Sequence, residues 1–445
     1  MTNIQMPMIK KAEITYPNPW VRPYRGKSVP HHGSHYNQLV KSGTKDYFSW
    51  ITDQDWDFIK RDWTRLKPLS PDITFRLGIP TQVTGPVETA DFYLCLFNPS
   101  VGPTHTYNET VQQYVEKERR EGINEYFDEP DGYLKHVIDT EENIPHREFS
   151  ALAGMFSERE LELVREWNQH GFARFKALFR PIYKADAAER RTAYKQVVAE
   201  ATPREAELLT KLLKDNRGKF DVMVVDQYFS SNGSARFLPG LFRNVYYLKT
   251  YFAPFLMDTT QHPYEKLLDF LIKMKEQRQT EAVLAEIKAW QVCNLELFPY
   301  RDAHKHIQTM IAAKSVKQLS TCQYAATLVW QRLAAYAEGD LPQKPLFYFR
   351  AYGTNWRPTL LEIGTKFFGA ERTEELLQWC EENCLFLESK AGTGIVHSDR
   401  FKPAGQHGKA TVTEKDLERS YQALRANFGL DHQSVITQLL RKVNG

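Results

Sequence analysis

Two asparagines stand where an amide side chain can act on a ligand. The apolar run Phe92-Tyr93-Leu94-Cys95-Leu96-Phe97 leads straight into Asn98-Pro99-Ser100. A second run, Cys293-Asn294-Leu295-Glu296-Leu297-Phe298, carries Asn294 and leads into Pro299-Tyr300-Arg301. An amide offers one carbonyl acceptor and two N–H donors. It can hold a water against a cationic carbon, or read a heterocycle edge, without being a strong base. Both residues also have ordinary structural uses. Asn-Pro is a turn that ends a strand, and a buried Asn satisfies strand-end backbone.

Other side chains compete for attention. Glu296 and Asp302 flank the second run and would suit a paired-carboxylate hydrolase, but Glu296 is expected to face away from a cleft at the strand end. Arg350 either reaches a cleft or pairs with a carboxylate. Residues 392–409 are glycine-rich and hold Arg400, Lys402, His407 and Lys409, which suits a basic loop on phosphate or an ordinary surface loop. Arg236-Phe237 through Arg243, Tyr246, Tyr247 and Lys249 interleave basic and aromatic residues, as a DNA channel or a half-buried element would. His31, His32 and His35 lack carboxylate or cysteine partners at metal spacing. Gly-x-Ser-x-Gly, a Walker loop, Gly-x-Gly-x-x-Gly and His-Glu-x-x-His are all missing, which disfavours serine hydrolases, P-loop NTPases, dinucleotide enzymes and zincins.

The elements that must position these residues follow from hydrophobic pattern. The run at 92–97 has the length of a buried strand, and Pro99 ends it. Residues 290–298, 346–350 and 385–387 read as strands; 320–337 reads as a helix, and 360–382 as helical with breaks near Gly364 and Gly369. Strands separated by helices imply a mainly parallel sheet, whose ligand cleft lies beyond the strands' carboxyl ends. Residues 1–45 read as an irregular arm, followed by a helix presenting Trp56, Ile59 and Trp63. The region 105–285 reads as mostly helical, with a candidate strand at 220–225. One helix is marked by Thr202 as N-cap, Pro203, Glu205 closing a capping box, and Gly218 past its end, with Leu208, Leu209, Leu212 and Leu213 as its apolar stripe. Residues 413–442 read as one or two capping helices.

The segments after the strands resemble the uracil-DNA glycosylase superfamily. Leu96-Phe97-Asn98-Pro99-Ser100-Val101-Gly102 looks like its Gly-Leu/Met-Asn-Pro-Gly motif, with Leu96 and Ser100 in place of the glycines. Cys293-Asn294-Leu295-Glu296-Leu297-Phe298-Pro299 is similar to the second motif, in which an Asn ends a strand. Phe349-Arg350-Ala351-Tyr352-Gly353 through Trp356 and Leu387-Glu388-Ser389 through Phe401 follow in order. The last contains His397 but no His-Pro-Ser. The resemblance implies that Asn98 positions the attacking water and that Asn294 reads the base edge, with Phe97 and Tyr107 against the flipped base. It also implies that His397 stabilises the departing base. Ser100, Arg350, Arg400 and Lys402 would then touch DNA. Without a lysine beside the motifs, lyase activity is not expected.

Composition is compatible with this and excludes other classes. The chain has 445 residues, 42% hydrophobic and 13% aromatic, enough for a large core and more than one ordinary domain. A net charge of +3 allows a local DNA patch without a bulk basic character. The five cysteines include no Cys-x-x-Cys pair, so Cys95 and Cys293 read as buried intracellular thiols. There is no signal-peptide pattern and no apolar stretch near the roughly 20 residues of a membrane span.

The expected protein is thus an α/β, three-layer α/β/α fold with a mainly parallel central sheet and a large helical insertion. Its parts would be an arm and helix at 1–90, a core at 91–104 and 286–402, an insertion at 105–285 and a helical cap at 403–445. The expected activity is that of a cytoplasmic, cofactor-free, monofunctional DNA glycosylase releasing uracil or a modified pyrimidine, with a phage-defence role by analogy. A non-catalytic DNA-binding or damage-sensing relative and an unrelated small-molecule α/β hydrolase are the alternatives. DNA is the expected partner, and no membrane is.

Overall fold

The structure, a computed structural model, describes residues 6–21, 52, 54–55, 80–97, 134, 137–155, 177–178, 180–182, 184–186, 188–213, 247–252, 263–300, 316–387, 438–439 and 441. They fall into two compact units, one holding the sheet and one built mainly from 145–289.

The first unit is α/β. Its strands are β1 (Val83–Thr84), β2 (Phe92–Leu96), β3 (Ile138–Asp139), β4 (Val292–Glu296), β5 (Leu346–Arg350) and β6 (Leu385–Leu387), in the order β3-β1-β4-β2-β5-β6. The β4-β2-β5-β6 block is parallel, whereas β1 runs antiparallel to β4 and parallel to β3. Three of the expected strands match closely, and the 290–298 run contributes only its middle. Two short strands come from segments read as arm and insertion.

Side chains alternate between the two faces of each strand. Tyr93, Cys95, Cys293, Leu295, Phe347, Phe349 and Phe386 share one face and pack into a single apolar core. Helices α6 (Ser320–Ala337), α7 (Arg357–Phe368) and α8 (Ala370–Asn383) cover it, contributing Cys322, Trp330, Leu360 and Leu377 among others (α1 to α5 lie in the second unit, below). Trp330 and Trp356 are wholly buried, each worth about 2 kcal/mol or more of transfer free energy. The arm is partly core: Ile9, Ile14 and Trp20 are buried in this cluster, and the Trp20 indole donates to Gln82 Oε1 at 2.5 Å.

The break expected near Gly364 is absent. Gly364 sits inside α7 because a Cβ there would lie 2.7 Å from Thr373 Cγ2 of α8. It is a contact residue between helices, and Gly369, at φ +82°, alone separates them. Gly85, at φ +120°, lets β1 leave close to β4: an added Cβ would fall 2.2 Å from the Val292 carbonyl oxygen.

The N-terminus of α6 is capped from a distance. Asp55 is fully buried and accepts from Ser320 N (2.6 Å), Ser320 Oγ (2.8 Å), Thr321 Oγ1 (2.5 Å) and Tyr300 Oη (2.9 Å). Burial pushes its carboxyl above the usual range, against the pull of those four donors.

The second unit contains α1 (Ile144–Met155), α2 (Arg190–Glu200), α3 (Pro203–Leu212), α4 (Pro263–Glu276) and α5 (Thr280–Lys288), α1 starting one residue earlier in the first. The capping box of α3 forms as the sequence indicates: Thr202 Oγ1 accepts from Glu205 N at 3.3 Å, and Thr202 N donates to Glu205 Oε2 at 2.9 Å. Leu209 and Leu213 are buried, but α3 ends at Leu212; Gly218 and the 220–225 run lie outside the described residues. In α1, Glu148 caps the π-turn Leu248–Phe252, accepting from Tyr247 N at 3.0 Å and from Leu248 N. Trp56, Ile59, Trp63, Tyr246 and most of 413–442 are also outside the described residues. No helix among the described residues is long and apolar enough to cross a membrane.

Candidate functional site

The parallel block fixes where a ligand can approach. From β2 the chain passes to β3 at the sheet's edge and then to β4, and it returns across β2 through α6 to β5 and on to β6. The direction of winding reverses between β2 and β5. Such a switch point opens a crevice at the strands' carboxyl ends, because neighbouring connections leave on opposite sides.

Two segments converge there on Leu96, the last residue of β2, and on Phe97 just after it. The Leu96 carbonyl accepts from Leu297 N, just past β4, and from the Trp356 indole N–H, beyond β5, both at 3.0 Å. The Phe97 carbonyl accepts from Phe298 N at 2.6 Å. The next residue in the chain is Asn98. Beyond β5 the backbone is unusual. Ala351 is left-handed, at φ 58°, and Tyr352–Trp356 form a π-turn that swings Trp356 onto Leu96. A left-handed non-glycine residue costs about 1 kcal/mol or more, and such costs gather at functional sites.

The face of the sheet away from α6–α8 is polar where β1 meets β4. Asn294 is the middle residue of β4 and 2% exposed. Its amide Nδ2 donates to Glu296 Oε1 at 3.3 Å. Thr84, its partner across the β1–β4 ladder, is fully buried on the same face. Neither Asn294 Oδ1 nor Thr84 Oγ1 has a hydrogen-bond partner among the described residues. A buried polar atom without a partner costs about 1–3 kcal/mol, so two side by side are unusual in a sheet centre. Leu94, next to Asn294 on β2, and Tyr348, next to Leu94 on β5, complete the floor of this face.

The sequence-derived residues distribute as follows. Asn294 and Arg350 share the polar face; Arg350 is half-buried at the last position of β5. Glu296 lies on the same face as Asn294, which corrects the expectation that it turns away: two residues apart on a strand means one side. Asn294 also sits two residues before the strand's end rather than ending it. Phe97 is half-buried on the opposite face, stacked on Phe298 with centroids 6.0 Å apart and packed on the apolar core, so it is not brought to Asn294. Asn98, Ser100, Tyr107, His397, Arg400 and Lys402 lie outside the described residues, as does Asp302. Sequence reasoning missed Thr84, which stands in a two-residue strand with no periodic signal.

The remaining chemistry is limited. Burial pushes the Cys95 and Cys293 thiols well up, so neither is a thiolate nucleophile at neutral pH. Among the described residues no group of three or more His, Cys, Asp or Glu side chains could hold a metal ion. An open depression on α7–α8 is lined by Arg357, Glu371, Glu374, Glu375, Gln378 and Glu381. Its one cation is already paired, with Glu374 at 2.7 Å and Glu381 at 2.8 Å, so the patch is net acidic and unsuited to phosphate. Compared with family models, with curated proteins and with solved structures, the chain finds no match in any of the three.

Proposed function

We propose that the protein is a monofunctional DNA glycosylase that hydrolyses the N-glycosidic bond of uracil or a modified pyrimidine, as the motif resemblance implies. One observation supports this reading above the rest: the chain after β4 fastens both residues that precede Asn98, Leu96 and Phe97, and the chain after β5 fastens Leu96 as well. A residue meant to hold one water against one sugar carbon needs such an anchored origin.

In this mechanism the base is extruded from the stack and its edge meets the Asn294 amide. The C1′–N bond breaks toward a sugar cation, and the bonding pair leaves with the base as an anion. Water held by the Asn98 carbonyl adds to C1′ and loses a proton; the base gains one; an abasic site remains. By the same resemblance His397 stabilises the departing base, and Arg350, at the end of β5, touches DNA. DNA as partner and the cytoplasm as location belong to the same proposal.

The test is base release from labelled oligonucleotides. These would carry uracil, a thymine mismatch, hydroxymethylcytosine or its glucosylated form, single- and double-stranded, and would be cleaved by alkali at abasic sites. Wild type is expected to release one of these bases, and Asn98→Ala to lose release while keeping DNA binding. DNA binding without release of any base would favour a damage sensor instead. Absence of salt-dependent DNA affinity would sink the nucleic-acid reading altogether.

A further inference from the structure

Two cysteines have no place in the mechanism above, and they are neighbours. Cys380 lies in the last turn of α8, and Cys384 directly follows that helix. Residues four apart share one side of a helix and stand about 6 Å apart at Cα. Cys384 N donates to the Cys380 carbonyl at 2.8 Å, so the last turn holds this spacing. A disulfide spans about 4.4–6.8 Å between Cα atoms. The two thiols already meet, with Cys380 Sγ–H donating to Cys384 Sγ. The other cysteines are placed differently. Cys95 and Cys293 stand two residues out of register on neighbouring strands, a diagonal of about 8 Å that is too long for a disulfide. They and Cys322, in the first turn of α6, are wholly buried.

The surroundings of the pair are not those of inert core thiols. Cys384 is 7% exposed and Cys380 0%, so a small reagent reaches Cys384 first. Lys344 is half-buried beside it, and the charge of each acts on the other. The ammonium donates to Asn383 Oδ1 at 3.1 Å and lies 5.9 Å from the centre of the Trp379 ring. No carboxylate pairs with it among the described residues. A thiolate at Cys384 therefore faces a cation that is not already neutralised. Tyr352 adds a buried hydroxyl with no hydrogen-bond partner among the described residues, and Cys380 and Cys384 are among its electrostatic neighbours.

We propose that Cys380 and Cys384 form a redox-modification site, in which a hydroperoxide oxidises Cys384 and Cys380 resolves the product to a reversible disulfide. The Cys384 thiolate attacks one peroxide oxygen, and the O–O bond breaks. The hydroxide that leaves takes up the proton given up by the thiol and becomes water; Cys384 is left as a sulfenic acid. The Cys380 sulfur then attacks the Cys384 sulfur. The S–S bond forms, the S–O bond breaks, and the hydroxyl departs with the Cys380 proton as a second water. Two thiols are thus oxidised by two electrons to one disulfide, and hydrogen peroxide is reduced to two waters. The site adjoins the cleft described above. Phe386, two residues beyond Cys384, lies 4.6 Å from the Tyr352 ring, and Trp356 of the same π-turn donates to the Leu96 carbonyl. A shift at the joint between α8 and β6 reaches the end of β2 through these side chains.

The experiment maps thiols in the full-length protein. Wild type in native buffer would be exposed to hydrogen peroxide, quenched, unfolded with an alkylating agent and digested with trypsin. The tryptic peptide Thr373–Lys390 contains both cysteines and none of the other three. It should be lighter by two hydrogens and carry no label, and dithiothreitol before alkylation should restore both labels. Cys95, Cys293 and Cys322 should remain labelled throughout. A peptide that keeps both labels, or gains only sulfinic acids, would overturn the proposal, as would a disulfide to any other peptide. Cys380→Ala should leave a sulfenic acid on Cys384 that dimedone traps, and Cys384→Ala should give neither adduct nor disulfide; a dimedone adduct on Cys380 would overturn the assignment of roles. Lys344→Met should slow disulfide formation about tenfold, as loss of one half-buried charge beside a thiolate would. An unchanged rate would remove Lys344 from the step. The wild-type map decides the disulfide even where a variant fails to fold.

Discussion

Two buried polar groups in the sheet-bearing unit are treated in opposite ways. Asp55, at the N-terminus of α6, receives four hydrogen bonds from Ser320, Thr321 and Tyr300. Asn294, in the middle of β4, donates one and, among the described residues, receives none at its carbonyl oxygen; the Thr84 hydroxyl beside it likewise has no partner among them. Both sites are closed to solvent, so exposure does not separate them. What separates them is completeness. A saturated group has spent its bonding capacity on the fold, whereas an unsaturated one keeps it for a ligand. Asn294, rather than the richer network around Asp55, therefore has bonding capacity left for a ligand.

The contrast is breakable, starting with its largest expected effect. Asp55→Ala deserts four donors at once, three of them at the start of a core helix. It should lower unfolding free energy by about 4 kcal/mol in urea titration. A loss under about 1 kcal/mol would mean that the network is not structural.

Glu148, in the second unit, sharpens the comparison as an intermediate case: a buried carboxylate with two backbone donors and burial strong enough to push its carboxyl up to about 7, from an ordinary 4.5. The folded state then holds a proton that the unfolded state releases. The resulting stabilisation is full below about pH 4.5, falls as pH rises through about 7, and is flat above. Wild-type stability measured against Glu148→Gln should drop by about 3 kcal/mol across that window. Parallel profiles for the two proteins would refute the shift.

The smallest effect has the opposite sign. Thr84→Val removes a hydroxyl that bonds nothing in the described structure and keeps the branched shape that suits a strand. Thermal unfolding should show stability unchanged or raised by about 1 kcal/mol. A destabilisation comparable to that of Asp55→Ala would erase the distinction between the two clusters.

How much of this was readable beforehand depended on sequence separation. The strands β2, β5 and β6 and helix α6 announced themselves because apolar runs with sharp ends lie within one element. β1 and β3 did not, since two residues carry no period; they exist only because β4 offers β1 an edge, and β1 offers one to β3. The Asp55 cap was unreadable because its donors lie 245 to 266 residues away. Gly364 was misread because the usual argument for glycine is its backbone freedom, while here the reason is the side chain of Thr373 pressing from the next helix. At the candidate site, Asn294 was found from its residue type. The company it keeps, Glu296 on its own side, Phe97 on the other and Thr84 across the ladder, was decided by register, which composition does not encode.

Gly85 gives this arrangement a hereditary consequence. It follows Thr84 directly, donates its N–H to the Asp139 carbonyl at 2.7 Å, and passes so near Val292 that no side chain fits. Any other residue would push β1 away from β4 and carry Thr84 off Asn294. In a library of random single changes, Gly85 should therefore score among the residues that recognise the ligand, although it presents no side chain to recognise anything.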